Sequence, residues 1–325
     1  MAPDRLPRDI WGWGYIQRNR PDDWRRVTER FPLDIARLPS ILGVSLRDTR
    51  KGVKGEDRNY VDDWGAVWRS LQAGVSGEVE NSPLADWGAL ADYRPPLEML
   101  EHPAEVSVAE ACDGTECFRL GEIGAGPFER MQILRGVENL FLDLAAPDEN
   151  FRTLLDMVHD FYLQHYSLWC LTGADAVAMG DDWGSQKALL ISPVRWRSIF
   201  KPLYAEYFNL LHRAGKKVFF HSDGMILDII PDLIEIGADV LNCQIDCMDI
   251  NELGRNFGGR IVFWGEPDRQ RVMPFGTAAE VRAEVRKLCD NLALNSRGLI
   301  AQLYWGIDVP TENVMAAFEE YGRTG

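Results

Sequence analysis

The sequence predicts an α/β fold, a (β/α)8 TIM barrel that takes in residues 1–325 as a single domain. Three observations predict it. The second half alternates five times between a short apolar segment and an amphipathic helical segment, which is typical of parallel strands covered on both faces. No G-x-G-x-x-G follows any apolar segment, which disfavours an open dinucleotide-binding sheet. The length of 325 residues is one that barrels reach as a single domain.

In the second half, helix-capping residues separate the predicted elements. Ser192 and Pro193 begin one helix, Gly237 ends another, and Thr277 with Glu280 forms a capping box for a third. The predicted strands are Ala176–Gly180, Lys217–Phe220, Asp239–Leu241, Arg260–Trp264 and Gly298–Leu303. The predicted helices run from Ser192 to Gly215, from Ile226 to Ile236, from Asp249 to Gly258, from Thr277 to Leu294 and from Pro310 to Tyr321.

The first half is less regular. Leu33–Leu38 is predicted as the first barrel strand, after an N-terminal extension, and Cys117–Ile123 as a further strand. Helices are predicted over Pro127–Leu134 and Asp148–Leu171. Residues 41–100 show little periodicity but contain several tryptophans. A long irregular segment of this kind is typical of an active-site lid or pocket wall, so the sequence predicts a lid-like insertion there.

The composition excludes several classes of partner. The formal net charge of −15 comes from 35 basic against 50 acidic residues, so we expect neither a nucleic acid nor an anionic membrane as partner. The sequence shows neither a leader-like apolar region nor an apolar run long enough for a membrane span. Six cysteines without a disulfide framework fit a cytoplasmic protein. A homodimer is common for barrels, although no residue points to an interface.

Polar and aromatic residues follow the predicted strands, where a parallel barrel has its active site. His221, which ends one strand two residues before Asp223, is the main candidate. Imidazole and carboxylate together suit a metal such as zinc, an acid–base pair or a structural hydrogen bond, and the sequence leaves all three open. Asp181 and Asp182 form a carboxylate pair of which one member should face the pocket. Glu266 and Cys243 are further candidate metal ligands.

Candidate substrate-binding residues surround this group. Indoles at the strand ends could stack on a flat ligand or could simply pack at the rim. Amide side chains lie at two of the same strand ends. The candidates are Asp181, Trp183, Gln186, Gln244, Trp264 and Trp305.

Several segments resemble the uroporphyrinogen decarboxylase superfamily, in family order over roughly residues 30 to 322. They are YVDDWGAVWRS, GPFERMQILRGVENLFLDL, GDDWGSQ, KVFFHSDG with IIPDLIEIGADVLN, and FGGRIVFWGEPDRQ with MPFGT. The resemblance implies a TIM barrel and one of two chemistries, decarboxylation of porphyrinogen or methyl transfer. The arginine-rich RQAGRY-like run of the decarboxylases is missing, which favours the methyltransferase-like branch.

Within that branch, zinc enzymes resembling this chain carry His-x-Cys after the fifth strand and a cysteine near the last strand. Here Asp223 stands in place of the first cysteine, and the last strand offers none. The resemblance therefore implies a demethylase for a small O- or N-methyl substrate, in which a metal or an acid activates the leaving group. His221, Asp223 and Asp182 would be catalytic, and a corrinoid (cobalamin-type) protein would accept the methyl group. The alternatives are a decarboxylase of a smaller acid and a non-catalytic ligand- or corrinoid-binding barrel.

Overall fold

The computed structural model describes residues 5–45, 59–69, 77–294 and 297–324. Eight parallel strands form a nearly closed barrel in the order β1-β11-β10-β9-β8-β7-β6-β2, and β3-β4-β5 form a separate antiparallel sheet. The strands are β1 Arg8–Trp11, β2 Ile35–Arg37, β3 Asn59–Val61, β4 Val67–Arg69, β5 Glu78–Asn81, β6 Phe118–Ala125, β7 Ala176–Gly180, β8 Lys217–Ser222, β9 Val240–Cys243, β10 Val262–Gly265 and β11 Leu299–Tyr304. The predicted TIM barrel is confirmed.

Helices cover the outside of the barrel. They are α1 Trp13–Asn19, α2 Pro21–Arg30, α3 Glu98–Glu101, α4 Glu105–Asp113, α5 Pro127–Arg135, α6 Val137–Ala145, α7 Glu149–Cys170, α8 Pro193–Arg213, α9 Ile230–Ile236, α10 Ile250–Phe257, α11 Val272–Phe275, α12 Ala278–Leu292 and α13 Thr311–Thr324, with 3-10 turns at Trp87–Ala89, Leu227–Ile229 and Ile245–Cys247. In the part of the chain that the structure describes, no helix is both long and apolar enough to span a bilayer.

The elements predicted in the second half all form, with boundaries shifted by a few residues. The caps account for this agreement. Ser192 accepts from the Arg195 N–H, and Thr277 and Glu280 form both bonds of the capping box. Gly237 ends α9 with φ of 101°, in the left-handed region that glycine adopts without strain.

The first barrel strand differs from the prediction. Leu33–Leu38 is not the first barrel strand, because β1 precedes β2 within the segment predicted as an N-terminal extension. β1 pairs in parallel with β11. The barrel closes between β1 and β2, where the Asp34 N–H donates to the Arg8 carbonyl at 3.0 Å. Arg37 of β2 also donates twice to Asp9 of β1, at 2.7 and 2.9 Å.

Two apolar layers form the core. The smaller fills the barrel interior and includes Leu120, Phe219 and Trp264. The larger lies between the strands and the helices. The interior layer supports the mouth of the barrel from below, where the strands end.

The described part of residues 41–100 packs against the helices α5 and α7. Trp64 is buried, contacts Phe161 of α7 edge-on at 4.5 Å, and carries the Arg130 guanidinium 4.7 Å above its ring. Trp68 and residues of β5 line a cavity of about 550 Å³ that reaches Glu129 of α5. The predicted lid also includes residues 46–58 and 70–76, which lie outside the described residues.

Candidate functional site

A cavity of about 340 Å³ opens at the C-terminal ends of the strands. Its walls come from six barrel strands, the β1–α1 connection and helix α5. The perpendicular indoles of Trp11 and Trp264, with ring centroids 5.0 Å apart, supply much of its apolar surface. The complete lining is Trp11, Gly12, Arg37, Glu122, Gly124, Glu129, Ala178, Met179, Gly180, His221 and Trp264.

His221 on the cavity wall also belongs to a cluster of ligand-type side chains with Asp182 and Asp223. One donor atom from each of the three lies within 4.8 Å of the others. The His221 Nε2 atom is 3.4 Å from Asp182 Oδ1 and 3.7 Å from Asp223 Oδ1. Asp182 follows β7, while His221 lies in β8 and Asp223 just after it. The ends of two adjacent strands therefore assemble the cluster.

The His221 ring is held from its other nitrogen. Its Nδ1 lies 2.6 Å from Asn242 Oδ1. The two residues are direct partners in the β8–β9 register, so the ladder itself brings them together. The His221 ring also packs edge-on against Trp11, with ring centroids 4.8 Å apart. The Nε2 atom is therefore directed at the two carboxylates.

The two carboxylates are held by different contacts. Asp182 Oδ1 accepts the Asp223 N–H at 2.8 Å. Asp223 Oδ2 forms an ion pair with Arg269, which also reaches Glu266 Oε1 at 3.3 Å. Asp223 Oδ1 is buried and has no hydrogen-bond partner among the described residues. An unpartnered buried carboxylate oxygen beside an imidazole nitrogen is an arrangement that a cation would satisfy.

The charges of the cluster stabilise one another. Burial alone would lower the pKa of His221, but Asp182, Asp223 and Asn242 outweigh it and raise that pKa above its ordinary value. Burial would likewise raise the pKa of Asp182, yet His221, the Asp223 N–H and Arg269 lower it. Without an ion, these contacts favour the protonated form of His221 and the ionised form of Asp182.

Glu129 is a cavity residue that the sequence reasoning did not select. Burial first, and then the negative charge of Asp182, raise its pKa to about 7. Glu129 lies in GPFERMQIL, one of the segments that carry the family resemblance, and that resemblance was the signal in the sequence that could have identified it. Arg37, Asn242 and Arg269 were missed as well, because their roles depend on partners far away in the chain.

The Asp181 carboxylate caps the start of helix α5. It is completely buried and accepts from the N–H groups of Phe128 and Glu129 at the start of α5, at 3.1 and 2.8 Å, and from the Tyr204 hydroxyl at 2.6 Å. Burial raises its pKa well above the ordinary value. Asp182 is the member of the pair that belongs to the cluster.

The three candidate tryptophans occupy different positions. Trp264 lines the cavity, and its Nε1 donates to Asp9 at 2.9 Å. Trp183 stacks on Phe128 at 3.9 Å in the layer beneath the helices, and does not line the cavity. Trp305 is buried under the Arg20 guanidinium and does not line the cavity. Only Trp264 is thus placed to contact a ligand there.

The remaining candidates lie around the cluster. Gln244 is buried and accepts from Gln186 and from the Gly224 N–H, at 3.3 and 3.2 Å, so both amides brace the loop after β8. Glu266 is buried beside Arg269, and Cys243 packs in the outer core. Neither joins the group of ligand atoms around His221.

These residues fit a zinc ion. Catalytic zinc sites use three protein ligands and leave a position open. Asp182, His221 and Asp223 supply imidazole nitrogen and carboxylate oxygen, with an unpartnered Asp223 oxygen directed toward the group. Asn242 supports the opposite side of the imidazole, as partners of ligating histidines do.

Comparison with known protein families shows to which family the chain belongs. The family model "Uroporphyrinogen decarboxylase (URO-D)" matches residues 97–323. The chain belongs to the uroporphyrinogen decarboxylase family. The predicted resemblance is thus confirmed, and the family match contains the whole Asp182–His221–Asp223 cluster.

The fold agrees with that of a solved structure. A methyltransferase from Methanosarcina mazei aligns over 99% of this chain and 94% of its own, with a TM-score of 0.69 and 17% sequence identity. At this identity the likeness shows the fold alone. An endo-β-1,4-xylanase from Gloeophyllum trabeum aligns over 98% of this chain and 97% of its own at a TM-score of 0.47 and 9% identity, from which nothing follows about activity. No curated protein sequence matches the chain.

Proposed function

We propose that this protein is a methyltransferase that moves the methyl group of a small O- or N-methyl compound to a corrinoid carried on a partner protein. In this proposal Asp182, His221 and Asp223 hold a zinc ion. One observation carries it: the three side chains converge where His221 forms the wall of a cavity of small-molecule size. The methyltransferase neighbour within the same fold adds support.

The chemistry demands activation of the leaving atom. Breaking a C–O or C–N bond sends the methyl group to the acceptor and leaves the electron pair on oxygen or nitrogen, which is a poor leaving group unless its charge is neutralised. A bound zinc ion would supply Lewis-acid activation of that atom. His221 with Asp182 and Asp223 would orient the heteroatom beside the cavity wall.

The donor set favours oxygen or nitrogen substrates. Zinc that activates a thiol is typically rich in thiolate ligands, whereas this cluster offers one imidazole and two carboxylates. Cys243, the candidate thiolate, lies outside the cluster. Carboxylate ligands suit a harder Lewis-acid site.

The cavity would bind and orient the substrate. Trp11, Trp264 and Met179 present an apolar surface that excludes water from the reacting group. Glu129, on the same wall, is placed to exchange a proton with the departing heteroatom.

The decarboxylase alternative requires an arginine available for a substrate carboxylate. Arg37 lines the cavity, but its guanidinium already pairs with Asp9 and with Glu122. Arg269 is paired with Asp223 and Glu266. Because protein carboxylates occupy both guanidinium groups, the methyl-transfer proposal is preferred.

Metal analysis of the purified protein tests the proposal first. We expect about one zinc ion per chain, because three ligands with an open position suffice for tight binding. His221→Ala should lose the ion. His102→Ala, at an exposed position outside the cluster, should retain it.

Methyl transfer is then measured directly. The wild-type protein is mixed with reduced cobalamin and a panel of methyl ethers and methylamines, and the change in the visible spectrum of the corrinoid is followed. We expect a spectral change with wild type and His102→Ala but none with His221→Ala. A protein that takes up no zinc and instead releases CO2 from small carboxylic acids would overturn the proposal.

A further inference from the structure

We infer that Asn242 is a positioning residue that fixes His221 as the Nδ1–H tautomer and leaves Nε2 free to face Asp182 and Asp223. This inference deepens the proposed function, on which its metal-binding consequence rests. The tautomer itself can be measured without any metal or substrate.

The orientation of the Asn242 amide follows from its contact with a backbone carbonyl, a group that can only accept. Asn242 is buried in the barrel interior, and its Nδ2 donates to the backbone carbonyl of Trp264. Its second contact is with Gln302 Oε1 at 3.3 Å. A backbone carbonyl has no proton to give, so the NH2 group must point toward Trp264 and the carbonyl oxygen toward His221.

The proton on His221 follows from the same logic. Asn242 Oδ1 can only accept, so the His221 Nδ1 atom at 2.6 Å must carry the hydrogen. The neutral ring then has its lone pair on Nε2, the atom that lies 3.4 Å from Asp182 and 3.7 Å from Asp223. Two neighbouring barrel strands, β9 and β10, thus determine the tautomer of a residue on β8.

Without Asn242, the neighbouring acids would favour the opposite tautomer. A carboxylate accepts a hydrogen bond, and both Asp182 and Asp223 lie on the Nε2 side. Without this constraint, a neutral His221 would carry its proton on Nε2 and donate a hydrogen bond to Asp182. The nitrogen that would bind the metal would then be blocked. Removal of the Asn242 amide should therefore weaken metal binding even though Asn242 touches no metal ligand except His221.

Nitrogen-15 NMR of the metal-free protein reads the tautomer directly. The chain has five histidines, and His221→Gln identifies the His221 signals. At alkaline pH, where the imidazole is neutral, we expect a protonated Nδ1 in wild type. Asn242→Leu should move the proton to Nε2, while Asn242→Asp, which keeps an acceptor at the same place, should retain it on Nδ1.

Titration with zinc gives the second measurement. We expect Asn242→Leu to weaken zinc affinity by about 10- to 100-fold, the usual effect of losing the partner of a ligating histidine. Gln302→Leu is the matched control, because the Trp264 carbonyl still orients the amide, and it should keep the wild-type tautomer.

Either of two results would overturn the inference: an Nε2–H tautomer in the wild-type protein, or an unchanged tautomer in folded Asn242→Leu. The wild-type spectrum decides the matter even if the leucine variant does not fold. A protein with the expected tautomer that binds no zinc would contradict the proposed function and leave the positioning role intact.

Discussion

The ion pair that closes the barrel should be one of the most sensitive points of the fold. Asp9 is completely buried, and the Arg37 side chain is 13% exposed. Asp9 accepts two bonds from Arg37 and a third from Trp264 Nε1. Asp9→Asn keeps the shape of the side chain but removes its charge, so the guanidinium loses its main partner.

The size of the effect follows from the burial. Removing one member of a buried ion pair costs about 3–5 kcal/mol, because the other charge stays buried without compensation. Arg37 keeps Glu122 at 2.9 Å, so we expect the lower end, about 3 kcal/mol. For a chain of this length, that corresponds to a fall in melting temperature of about 4 °C.

Urea unfolding of wild type, Asp9→Asn and a control measures this cost. Asp22→Asn removes one charge of an exposed pair with Arg25 and should change stability by less than about 0.5 kcal/mol. The double variant Asp9→Leu/Arg37→Met should recover part of the loss, because apolar residues can replace a buried pair, while the buried Trp264 Nε1 atom loses its acceptor. A loss of less than about 1 kcal/mol in Asp9→Asn would refute the role given to this pair.

Three further stability predictions concern particular helices. Burial lowers the pKa of His165 to about 3. Between about pH 6.5 and that value the unfolded chain binds a proton at this histidine and the folded chain does not, so the free energy of unfolding falls as the pH drops through this range. Between pH 7.5 and pH 5, the free energy of unfolding measured in urea should fall by about 2 kcal/mol less for His165→Gln than for wild type. The control His102→Gln, at an exposed position, should show the same fall as wild type. Thr277→Ala should cost about 1 kcal/mol in thermal unfolding by removing the capping box of α12, and equal stability of the two proteins would contradict that role. A Cβ atom at Gly126 would overlap the carboxylate that caps α5, so Gly126→Ala should cost about 1–3 kcal/mol, while Gly14→Ala, whose Cβ would meet open space, should not destabilise the protein.

The second half of the fold could be predicted because its information is local. Apolar strands, helical periodicity and capping residues such as Ser192 and Thr277 act within a few residues, and the structure confirms them. The strand β1 was missed for the opposite reason. Its four residues include Asp9, which suits a buried strand only because Arg37 neutralises it from the next strand.

The candidate site was predictable as far as the strand ends. Adjacent parallel strands end at one rim, so His221, Asp223 and Asp182 could be expected near each other. Which of the neighbouring side chains faces the cluster could not be predicted, because consecutive residues point to opposite faces. That is why Trp183 and Asp181 lie beneath the helices and at the start of α5, whereas Asp182 joins the cluster.

The pairing of β1 with β11 has a consequence for biosynthesis. The ladder joins Arg8 to Ala301 and Trp11 to Tyr304, so β1, the first of the eight barrel strands to be synthesised, stays unpaired along this edge until β11 has been made. Until then the nascent chain exposes an unpaired strand edge, which is a known route to aggregation. The cavity wall formed by Trp11 of β1 and Trp264 of β10 likewise joins strands that are far apart in the chain, so ligand binding should report on a barrel in which these strands have already met.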